Sequence, residues 1–373
     1  MANILINGIS AKSGGGRSIL NNYLDLLSKI PFQNNYFIIV PNFEEYIKFK
    51  NSNITIIHFE VFSKYTFFLP LFYFCSIKNV IKKYSIDLIL NFGDIIIPAK
   101  TTQVYLFDWA YAVYPESLLW KRMEFKEKII RKIKILFIKI YIKWPAVVLA
   151  QTKTSELRLS KLFSLKRIEI VPNAVSLDHL FGGICKEFNL PKLKLKLLYL
   201  TKYYTHKNIE IFIPLAQLIK EKNLPYLLVI TIDEYQHKNA KRLLGEIIRL
   251  KLDHVIINLG QVNMEYLPSL YAQSDALLMP TLLESFSGTY VEAMFHGKTI
   301  LTSDCDFAHE VCGDAAYFFD PLNVESIFHT IQLAFSNEDI RQQKIIAGKQ
   351  KLNSLLSWEQ VFRKIQDIIS GLL

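Results

Sequence analysis

Two glutamates with suitable chemistry for binding lie close together in the second half of the chain, between Pro280 and Gly297. Glu284 belongs to a predicted loop that follows a strand, and Glu292 belongs to the first turns of the helix predicted after it. Carboxylates bind sugar hydroxyls well because each oxygen accepts charge-assisted hydrogen bonds. The backbone N–H groups at the helix start between them can hold a phosphate or sugar oxygen. A purely structural interpretation is also open, in which Glu292 complements the helix dipole and Glu284 caps neighbouring N–H groups.

A glycine-rich loop forms a second candidate binding segment, Ser13-Gly14-Gly15-Gly16-Arg17-Ser18, directly after the first predicted strand. Glycines let the backbone approach an anion, and the helix predicted over residues 19–27 supplies free N–H groups at its start. The segment is not a Walker loop, because Ala11 stands where the first glycine of that motif would be. A plain turn between strand and helix remains an alternative.

The elements that position these loops alternate between short apolar runs and longer amphipathic stretches. The strand-like runs of the first half are Ile4–Ile6, Tyr36–Val40, Ile54–His58, Leu88–Leu90, Val104–Phe107 and Val147–Leu149. Those of the second half are Leu197–Leu200, Tyr226–Thr231, Val255–Asn258, Ala276–Met279, Thr299–Thr302 and Ala316–Phe319. The alternation predicts an α/β protein with two doubly wound parallel-sheet, Rossmann-like domains. Ligands of such sheets bind at the carboxyl ends of the strands, so we expect the domains to face each other across a cleft.

The length of 373 residues also favours two domains, at about 150 residues per domain. Turn residues cluster between Val171 and Pro191, where we expect the join. We predict an N-terminal domain over residues 1–185, a C-terminal domain over 186–355, and a helix over 356–373 that packs back toward the N-terminal domain. Half of the residues are hydrophobic and only 14 are Gly and 13 Pro, which excludes disordered and collagen-like classes.

Cysteine usage and apolar stretches bear on the location of the protein. Four scattered cysteines, and a start at Met1 without a signal-peptide pattern, predict a reducing cytoplasmic environment. The most apolar stretch, Tyr65 to Ile77, has 13 residues, whereas a transmembrane helix needs about 20. We therefore expect a buried or interfacial helix there and no transmembrane segment.

A basic segment from Lys121 to Lys143 stands out in a chain of formal net charge +10. It contains nine Lys or Arg against two acids, Glu124 and Glu127, interleaved with apolar and aromatic residues. This pattern is typical of a helix lying on anionic lipid. A solvated helix face with a buried apolar stripe gives the same pattern, and both interpretations stay open. Because no nucleic-acid-binding motif accompanies the charge, we expect no nucleic acid partner.

The segment with the two glutamates resembles the retaining nucleotide-sugar glycosyltransferases of family 4 (glycosyl transferases group 1), which have the GT-B architecture. The shared pattern is one Glu, seven residues and a second Glu. Four further segments resemble the same family in its order along the chain: Ile170–Val175, Thr201–Asn208, Asp304–Glu310 and Ser357–Glu359. The resemblance therefore covers both halves and is most specific from Ile170 to Pro321.

The resemblance implies roles for four charged residues. Glu284 would contact hydroxyls of the donor sugar, and Glu292 would bind the ribose. Lys202 and Lys207 would neutralise the diphosphate, where negative charge grows on the leaving group. Lys202 stands where the family often has Arg, so the charge is kept but the planar fork is lost.

The same resemblance implies further donor contacts made mainly by backbone. The amides of Phe286, Ser287 and Gly288 would bind sugar and phosphate, and Gly15 and Gly16 would approach the phosphates from the opposite domain. Base recognition is expected around Val262. In the first domain, Phe107-Asp108 aligns with a segment where the family often shows His-Asp. Asp108 is therefore a candidate catalytic residue, or else a turn residue at a strand end.

The implied reaction is transfer of a hexosyl or N-acetylhexosaminyl group from a nucleotide-diphosphate sugar to a glycan, with retained anomeric configuration and without metal or other cofactor. The basic segment 121–143 favours a lipid-linked glycan or a precursor of cell-surface polysaccharide as acceptor. It also favours a peripheral position on the inner face of the cytoplasmic membrane. A noncatalytic sugar-nucleotide-binding scaffold of the same fold is the alternative.

Two sequence features imitate metal sites. Asp304-Cys305-Asp306 has the Asp-any-Asp pattern of another glycosyltransferase fold, but it follows a strand of the second domain, so we interpret it as a loop. Cys305, His309 and Cys312 lack the paired spacing of zinc ligands. We therefore expect no metal.

Overall fold

The computed structural model describes residues 1–12, 14–30, 34–64, 71–93, 95–175, 177 and 183–373. The chain forms two compact units. The first comprises Met1–Pro115, Glu124–Ala174 and Leu356–Leu373, and the second comprises Glu116–Met123 and Val175–Leu355. The main change of unit thus comes at Ala174 rather than at residue 185. Val171 and Ala174 are still buried in the core of the first unit, whereas Val175 lies beside Gly288 of the second.

The sheet of the first unit has seven strands in the order β3-β2-β1-β4-β5-β6-β7. Every pairing between them is parallel, so all carboxyl ends lie at one edge. The short strand β7 has no counterpart among the strands expected from the sequence. The strands are β1 Asn3–Asn7, β2 Asn35–Val40, β3 Ile54–His58, β4 Leu88–Asn91, β5 Thr102–Phe107, β6 Val147–Ala150 and β7 Ile168–Ile170.

The sheet of the second unit has six parallel strands in the order β10-β9-β8-β11-β12-β13. Its central strands are buried along their length, as expected for a parallel sheet covered by helices on both faces. The predicted fold class is confirmed. The strands are β8 Leu195–Tyr199, β9 Tyr226–Ile230, β10 Ile256–Asn258, β11 Ala276–Met279, β12 Thr299–Ser303 and β13 Ala316–Phe319.

Helices connect these strands and cover the sheets. Numbered along the chain, they are α1 Gly14–Lys29, α2 Phe43–Tyr46, α3 Glu60–Lys64, α4 Ile77–Lys83, α5 Leu119–Arg122, α6 Phe125–Tyr141, α7 Lys153–Leu162, α8 Phe212–Glu221, α9 Lys238–Arg249, α10 Leu267–Ala272, α11 Gly288–Phe295, α12 Asp306–Cys312, α13 Val324–Ser336, α14 Glu338–Asn353 and α15 Trp358–Ser370.

The core of the first unit lies on both faces of its sheet. Ile4 and Ile6 of β1 belong to one buried cluster, and Leu5 between them belongs to a cluster on the other face, because successive side chains of a strand alternate. The C-terminal helix α15 packs on this unit. The ring centroids of Tyr23 in α1 and Phe362 in α15 lie 4.9 Å apart.

Among the described residues, no helix is both long and apolar enough to cross a membrane. Of the apolar stretch 65–77, residues 65–70 lie outside the described residues. Phe72–Ser76 form a short π-helix that continues into α4. Its Phe72 and Tyr73 are buried against the sheet.

Candidate functional site

The two-glutamate segment starts at the carboxyl edge of the second sheet: Glu284 lies in the loop between β11 and α11, and Glu292 lies in α11 itself. Lys207, from the loop after β8, forms an ion pair there with Glu284. Both side chains are nearly buried, at 14% and 11% exposed. Thr281 also donates its hydroxyl to Oε1 of Glu284, at 3.2 Å. The structure therefore brings together two of the predicted site residues that are 77 positions apart.

Asn208 fixes the loop that carries Lys207. Its backbone is left-handed (φ 54°), and its Nδ2 donates to the carbonyl oxygens of Pro280 (3.1 Å) and Pro321 (2.7 Å). The Asn208 side chain also accepts a hydrogen bond from the guanidinium of Arg122. Because asparagine tolerates this backbone conformation and supplies both bonds, the loops after β8, β11 and β13 are tied together.

Glu292 has a defined partner in the second unit. The hydroxyl of Tyr271 in α10 donates to Oε2 of Glu292, at 2.9 Å. Burial and the nearby carboxylate raise the pKa of Tyr271 well above its usual value, so the phenol stays a donor. The Tyr271 ring also stacks on His296, with ring centroids 4.7 Å apart. The carboxylate of Glu292 is thereby held in one orientation.

The start of α11 provides backbone donors beside these carboxylates. Ser287 precedes the helix, and its side chain makes no capping hydrogen bond. Gly288 is the first helical residue, and Phe286 is half-buried in the loop before it. The helix ends at Phe295, and Gly297 follows with φ +60°, as the sequence predicts for a glycine after a helix.

Lys202 and Val262 also lie in loops at this edge, after β8 and β10, as their positions in the sequence indicate. Lys202 is exposed and Val262 is half-buried. The backbone before Lys202 is anchored by Thr201, whose N–H donates to the Thr231 hydroxyl at 2.9 Å. Within the part of the chain that the structure describes, no hydrogen bond or ion pair joins these two residues to the Lys207–Glu284 pair.

At the carboxyl edge of the first sheet, the ends of β1 and β4 carry buried neutral amides. The amides of Asn7 and Asn91, at the ends of β1 and β4, are hydrogen-bonded at 2.9 Å, and Asn91 donates to Gln103 at 3.0 Å. All three are fully or almost fully buried. A Cβ at Gly93 would lie 2.6 Å from Nδ2 of Asn7, so only glycine fits against this network.

The glycine-rich loop after β1 differs from Gly93. Gly14 begins α1 with φ +62°, and Ser13 lies outside the described residues. Among the described residues, a Cβ at Gly15 would meet no atom within 4 Å, and one at Gly16 would meet only the Cα of Ala11, at 3.9 Å. Packing within the chain therefore does not require glycine at Gly15 or Gly16.

Asp108 follows β5, at the same edge of the first sheet, and is half-buried. Phe107, in the position where the resembled family often has His, is buried in the sheet. The loop that Asp108 opens is held by helix α6. Lys134 lies over the ring of Trp109, 4.0 Å from its centroid, and the Arg131 guanidinium lies over Tyr111 at 3.7 Å.

The residues that imitate metal sites in the sequence make other contacts in the structure. Asp304 is hydrogen-bonded to Nε2 of His309 at 2.6 Å, and His309 stacks on Phe318 with centroids 3.8 Å apart. Cys305 precedes α12 and Cys312 is buried at its end. Among the described residues, no three His, Cys, Asp or Glu side chains converge as metal ligands do.

The part of the chain with the charged residues matches a known family. Residues 184–351 match the model of the family Glycosyl transferases group 1. We call this matched region, which covers less than half of the chain, the group 1 domain. It contains Lys202, Lys207, Glu284 and Glu292, so the resemblance predicted from the sequence is confirmed for the group 1 domain.

The group 1 domain and the whole chain are also similar to individual proteins. Over 101 residues, the chain is 32% identical to the O-antigen chain mannosyltransferase B of Escherichia coli, covering 27% of this chain and 26% of that protein. The regions aligned with curated relatives span 26% to 56% of the relatives' own lengths.

Solved structures match the entire chain. Sucrose-phosphate synthase from Thermosynechococcus elongatus superimposes with a TM-score of 0.78 at 16% identity, covering 100% of this chain and 99% of that one. HepE of Anabaena, in complex with UDP and glucose, superimposes with a TM-score of 0.72 at 14% identity over 100% of both chains. At such identities the likeness establishes the fold, and the predicted GT-B fold is confirmed.

Several residues that organise the site were not identified from the sequence as site residues. Tyr271 contacts Glu292 across 21 positions, and Arg122 contacts Asn208 across 86. Thr281 lies three residues before Glu284. Neither long-range contact has a local signal, because the segment around Arg122 meets the loop after β8, and helix α10 meets α11, only after folding.

Proposed function

We propose that the chain is a retaining glycosyltransferase that transfers a hexosyl or N-acetylhexosaminyl group from a nucleotide-diphosphate sugar to a glycan. The observation that carries this proposal is the Lys207–Glu284 pair beside the start of α11, in a region that matches the glycosyl transferases group 1 family. A cation, a carboxylate and helix-start N–H groups in one place suit a ligand with both phosphates and hydroxyls.

Each charged residue has a proposed role toward the donor. Glu284 accepts hydrogen bonds from sugar hydroxyls, and Glu292, oriented by Tyr271, accepts them from the ribose. Lys207 and the exposed Lys202 neutralise the diphosphate. The backbone amides of Phe286, Ser287 and Gly288 complete the phosphate and sugar contacts, Gly15 and Gly16 approach the phosphates, and the loop around Val262 contacts the base.

The proposed reaction is attack on the same face of the sugar that the diphosphate leaves. The bond between the anomeric carbon and the diphosphate oxygen breaks, and the acceptor oxygen forms the new bond to that carbon. The acceptor proton passes to the departing diphosphate oxygen. Lys202, Lys207 and the α11 start stabilise the negative charge that develops there, so no metal is required. Asp108 is the proposed acceptor-side residue.

The proposed acceptor is a lipid-linked glycan or a precursor of cell-surface polysaccharide, with the protein at the inner face of the cytoplasmic membrane. Two observations support this part of the proposal. The relative from Escherichia coli is an O-antigen chain mannosyltransferase, and helix α6 exposes apolar and basic residues together. The complex of HepE contains UDP, which makes UDP-sugars the first donors to test.

A thermal-shift screen tests donor binding. The purified chain is heated with UDP-, GDP-, ADP-, dTDP- and CMP-sugars, with EDTA and without added metal. We expect one nucleotide to raise the melting temperature, since a ligand at about 100 times its Kd stabilises by about 2.7 kcal/mol. Glu292→Ala should lose the shift. Glu325→Ala is the matched control, because Glu325 is an exposed glutamate in the first turn of α13.

The outcomes separate the alternatives. No shift with any sugar nucleotide, or an equal loss in the control variant, would contradict the proposed site. A shift without transfer to any glycan would instead favour a noncatalytic scaffold. Once a product is obtained, its anomeric configuration is read by NMR, and an inverted product would contradict same-face attack.

A further inference from the structure

Helix α6 exposes an unusually apolar face. Its exposed large apolar side chains are each at least two-fifths exposed. Five of them recur every three or four residues, which places them on one side of a helix, and the sixth, Ile130, lies at the border of that side. We define the outer face of α6 by these residues: Phe125, Ile129, Ile130, Ile133, Leu136 and Ile140. Trp144, just beyond the helix end, is also exposed.

The charges on and beside the outer face are positive. At 100° per residue, Lys126, Lys132 and Lys139 fall along the borders of this face, and Lys143 follows the end of the helix; all four are exposed. Glu127 points elsewhere on the helix and pairs with Arg131. The outer face therefore combines hydrocarbon surface with cations and carries no carboxylate.

The opposite side of α6 contacts the loop that follows Asp108. Ile138 is buried, while Arg131 and Lys134 lie over the rings of Tyr111 and Trp109. These rings belong to the loop that follows Asp108. The helix thus has one side fixed to this loop and one side exposed to solvent.

We propose that the outer face of α6 docks on an anionic lipid bilayer and thereby holds the Asp108 loop at the level of the lipid headgroups. Isoleucine and leucine side chains enter the headgroup and acyl boundary, and long lysine side chains extend to lipid phosphates. A second copy of this chain is a poorer occupant, since self-pairing would bring like charges together. The placement of an acceptor there rests on the proposed function.

Vesicle binding tests the docking surface. The full-length protein is sedimented with vesicles of phosphatidylcholine alone and with added phosphatidylglycerol. We expect binding to the anionic vesicles, and at least about a tenfold loss for Ile133→Glu/Leu136→Glu, because both the apolar contact and the charge match are removed. Leu157→Glu, on α7 of the same unit, is the control. Leu157 is 57% exposed and Leu136 is 58% exposed.

Two results of the vesicle experiment would contradict the proposed docking surface. If the wild-type protein stays in the supernatant with anionic vesicles, the proposal is overturned. If the double variant and the Leu157→Glu control bind as the wild type does, the lipid contact lies elsewhere, and the outer face is not the docking surface. A self-associating face would instead show as a concentration-dependent dimer without lipid.

Quenching of tryptophan fluorescence tests, without any activity assay, whether the outer face of α6 points toward the lipid and its other side points away. The chain has four tryptophans, so variants with Trp→Phe changes can retain only Trp144, beside the outer face, or only Trp109, on the inner side. Brominated lipid in anionic vesicles should quench Trp144 strongly and Trp109 weakly. Equal quenching of both would overturn the proposed orientation. Melting temperatures confirm that each variant is folded.

The two proposals fail separately. The donor screen is performed in solution without lipid, and the vesicle assays need no donor. If the protein binds vesicles through α6 but binds no sugar nucleotide, the result supports the docking surface and contradicts the proposed function. If it binds a sugar nucleotide but no vesicles, the result supports the donor site and contradicts the docking surface.

Discussion

The carboxyl edges of the two sheets differ in the kind of side chains that hydrogen-bond there. The second unit presents an ion pair, Lys207–Glu284, and a carboxylate held by a phenol, Glu292–Tyr271. The first unit presents a buried ladder of neutral amides from Asn7, Asn91 and Gln103. The same parallel-sheet architecture therefore supports a nearly buried ion pair at the carboxyl edge of one unit and buried neutral amides at the ends of β1 and β4 in the other.

This difference has a physical consequence. The amide ladder is fully hydrogen-bonded inside the first unit and leaves its loops after β1 and β5 to contribute backbone and a few side chains. Lys207 and Glu284 of the second unit are nearly buried and compensate each other. A substitution that disturbs the amide ladder of the first unit should therefore change stability. A substitution of the Lys207–Glu284 pair should change both stability and ligand binding.

The largest expected effect comes from separating the ion pair. Lys207→Met leaves the nearly buried Glu284 carboxylate without its cation, so we expect the free energy of unfolding to fall by about 3 kcal/mol. Lys207→Met/Glu284→Gln should recover most of this loss, because the uncompensated charge is gone. Urea denaturation measures both. Equal destabilisation of the single and double variants would show that the pairing itself is not the cause.

Lys202 should matter for rate without mattering for stability. Its side chain is exposed, so Lys202→Ala should leave the melting temperature unchanged, while loss of a cation at the leaving diphosphate should slow transfer about 100-fold. The measurement is the rate of nucleotide-diphosphate release with the donor found in the thermal-shift screen. Lys241→Ala, an exposed lysine of α9 in the same unit, is the control. A normal rate in Lys202→Ala would remove this residue from the proposed site.

Two glycines sharpen the comparison within the first unit. Gly93→Ala places a methyl group against the amide ladder, so we expect a loss of about 1 to 3 kcal/mol in unfolding free energy. Gly15→Ala has room for its methyl group and lies in α1, so it should be about 0.5 kcal/mol more stable but should bind the donor more weakly. Calorimetry and the donor-induced shift measure these effects. A Gly15→Ala protein with unaltered donor affinity would favour a plain turn.

A moderate effect on donor affinity is expected when the orientation of Glu292 is disturbed. Tyr271→Phe keeps the ring and its stacking on His296 but removes the hydrogen bond to the carboxylate. We expect about a tenfold weaker donor affinity, since a hydrogen bond to a charged group contributes about 1.5 kcal/mol or more. Titration calorimetry with the identified donor provides the value. Unchanged affinity would mean that Glu292 is oriented by other contacts.

The sequence predicted most of the fold because the strands are long apolar runs with clear boundaries. Ile54–His58, Ala276–Met279 and Ala316–Phe319 were predicted with the bounds that the structure has. Strand β7 was missed because three half-buried residues give no such pattern. The basic segment was treated as one stretch, yet it is divided into α5 and α6, which belong to different units.

The sequence by itself determined the fold class, the family resemblance and the loops that carry the charged candidates, because apolar periodicity and short motifs are local properties of the chain. Tertiary structure alone decided that Lys207 meets Glu284, that Tyr271 orients Glu292, and that α6 holds the Asp108 loop on one side while exposing its outer face on the other. These contacts join residues far apart in sequence. They exist only because parallel strands bring their carboxyl ends to one edge and because a helix presents different residues on its two sides.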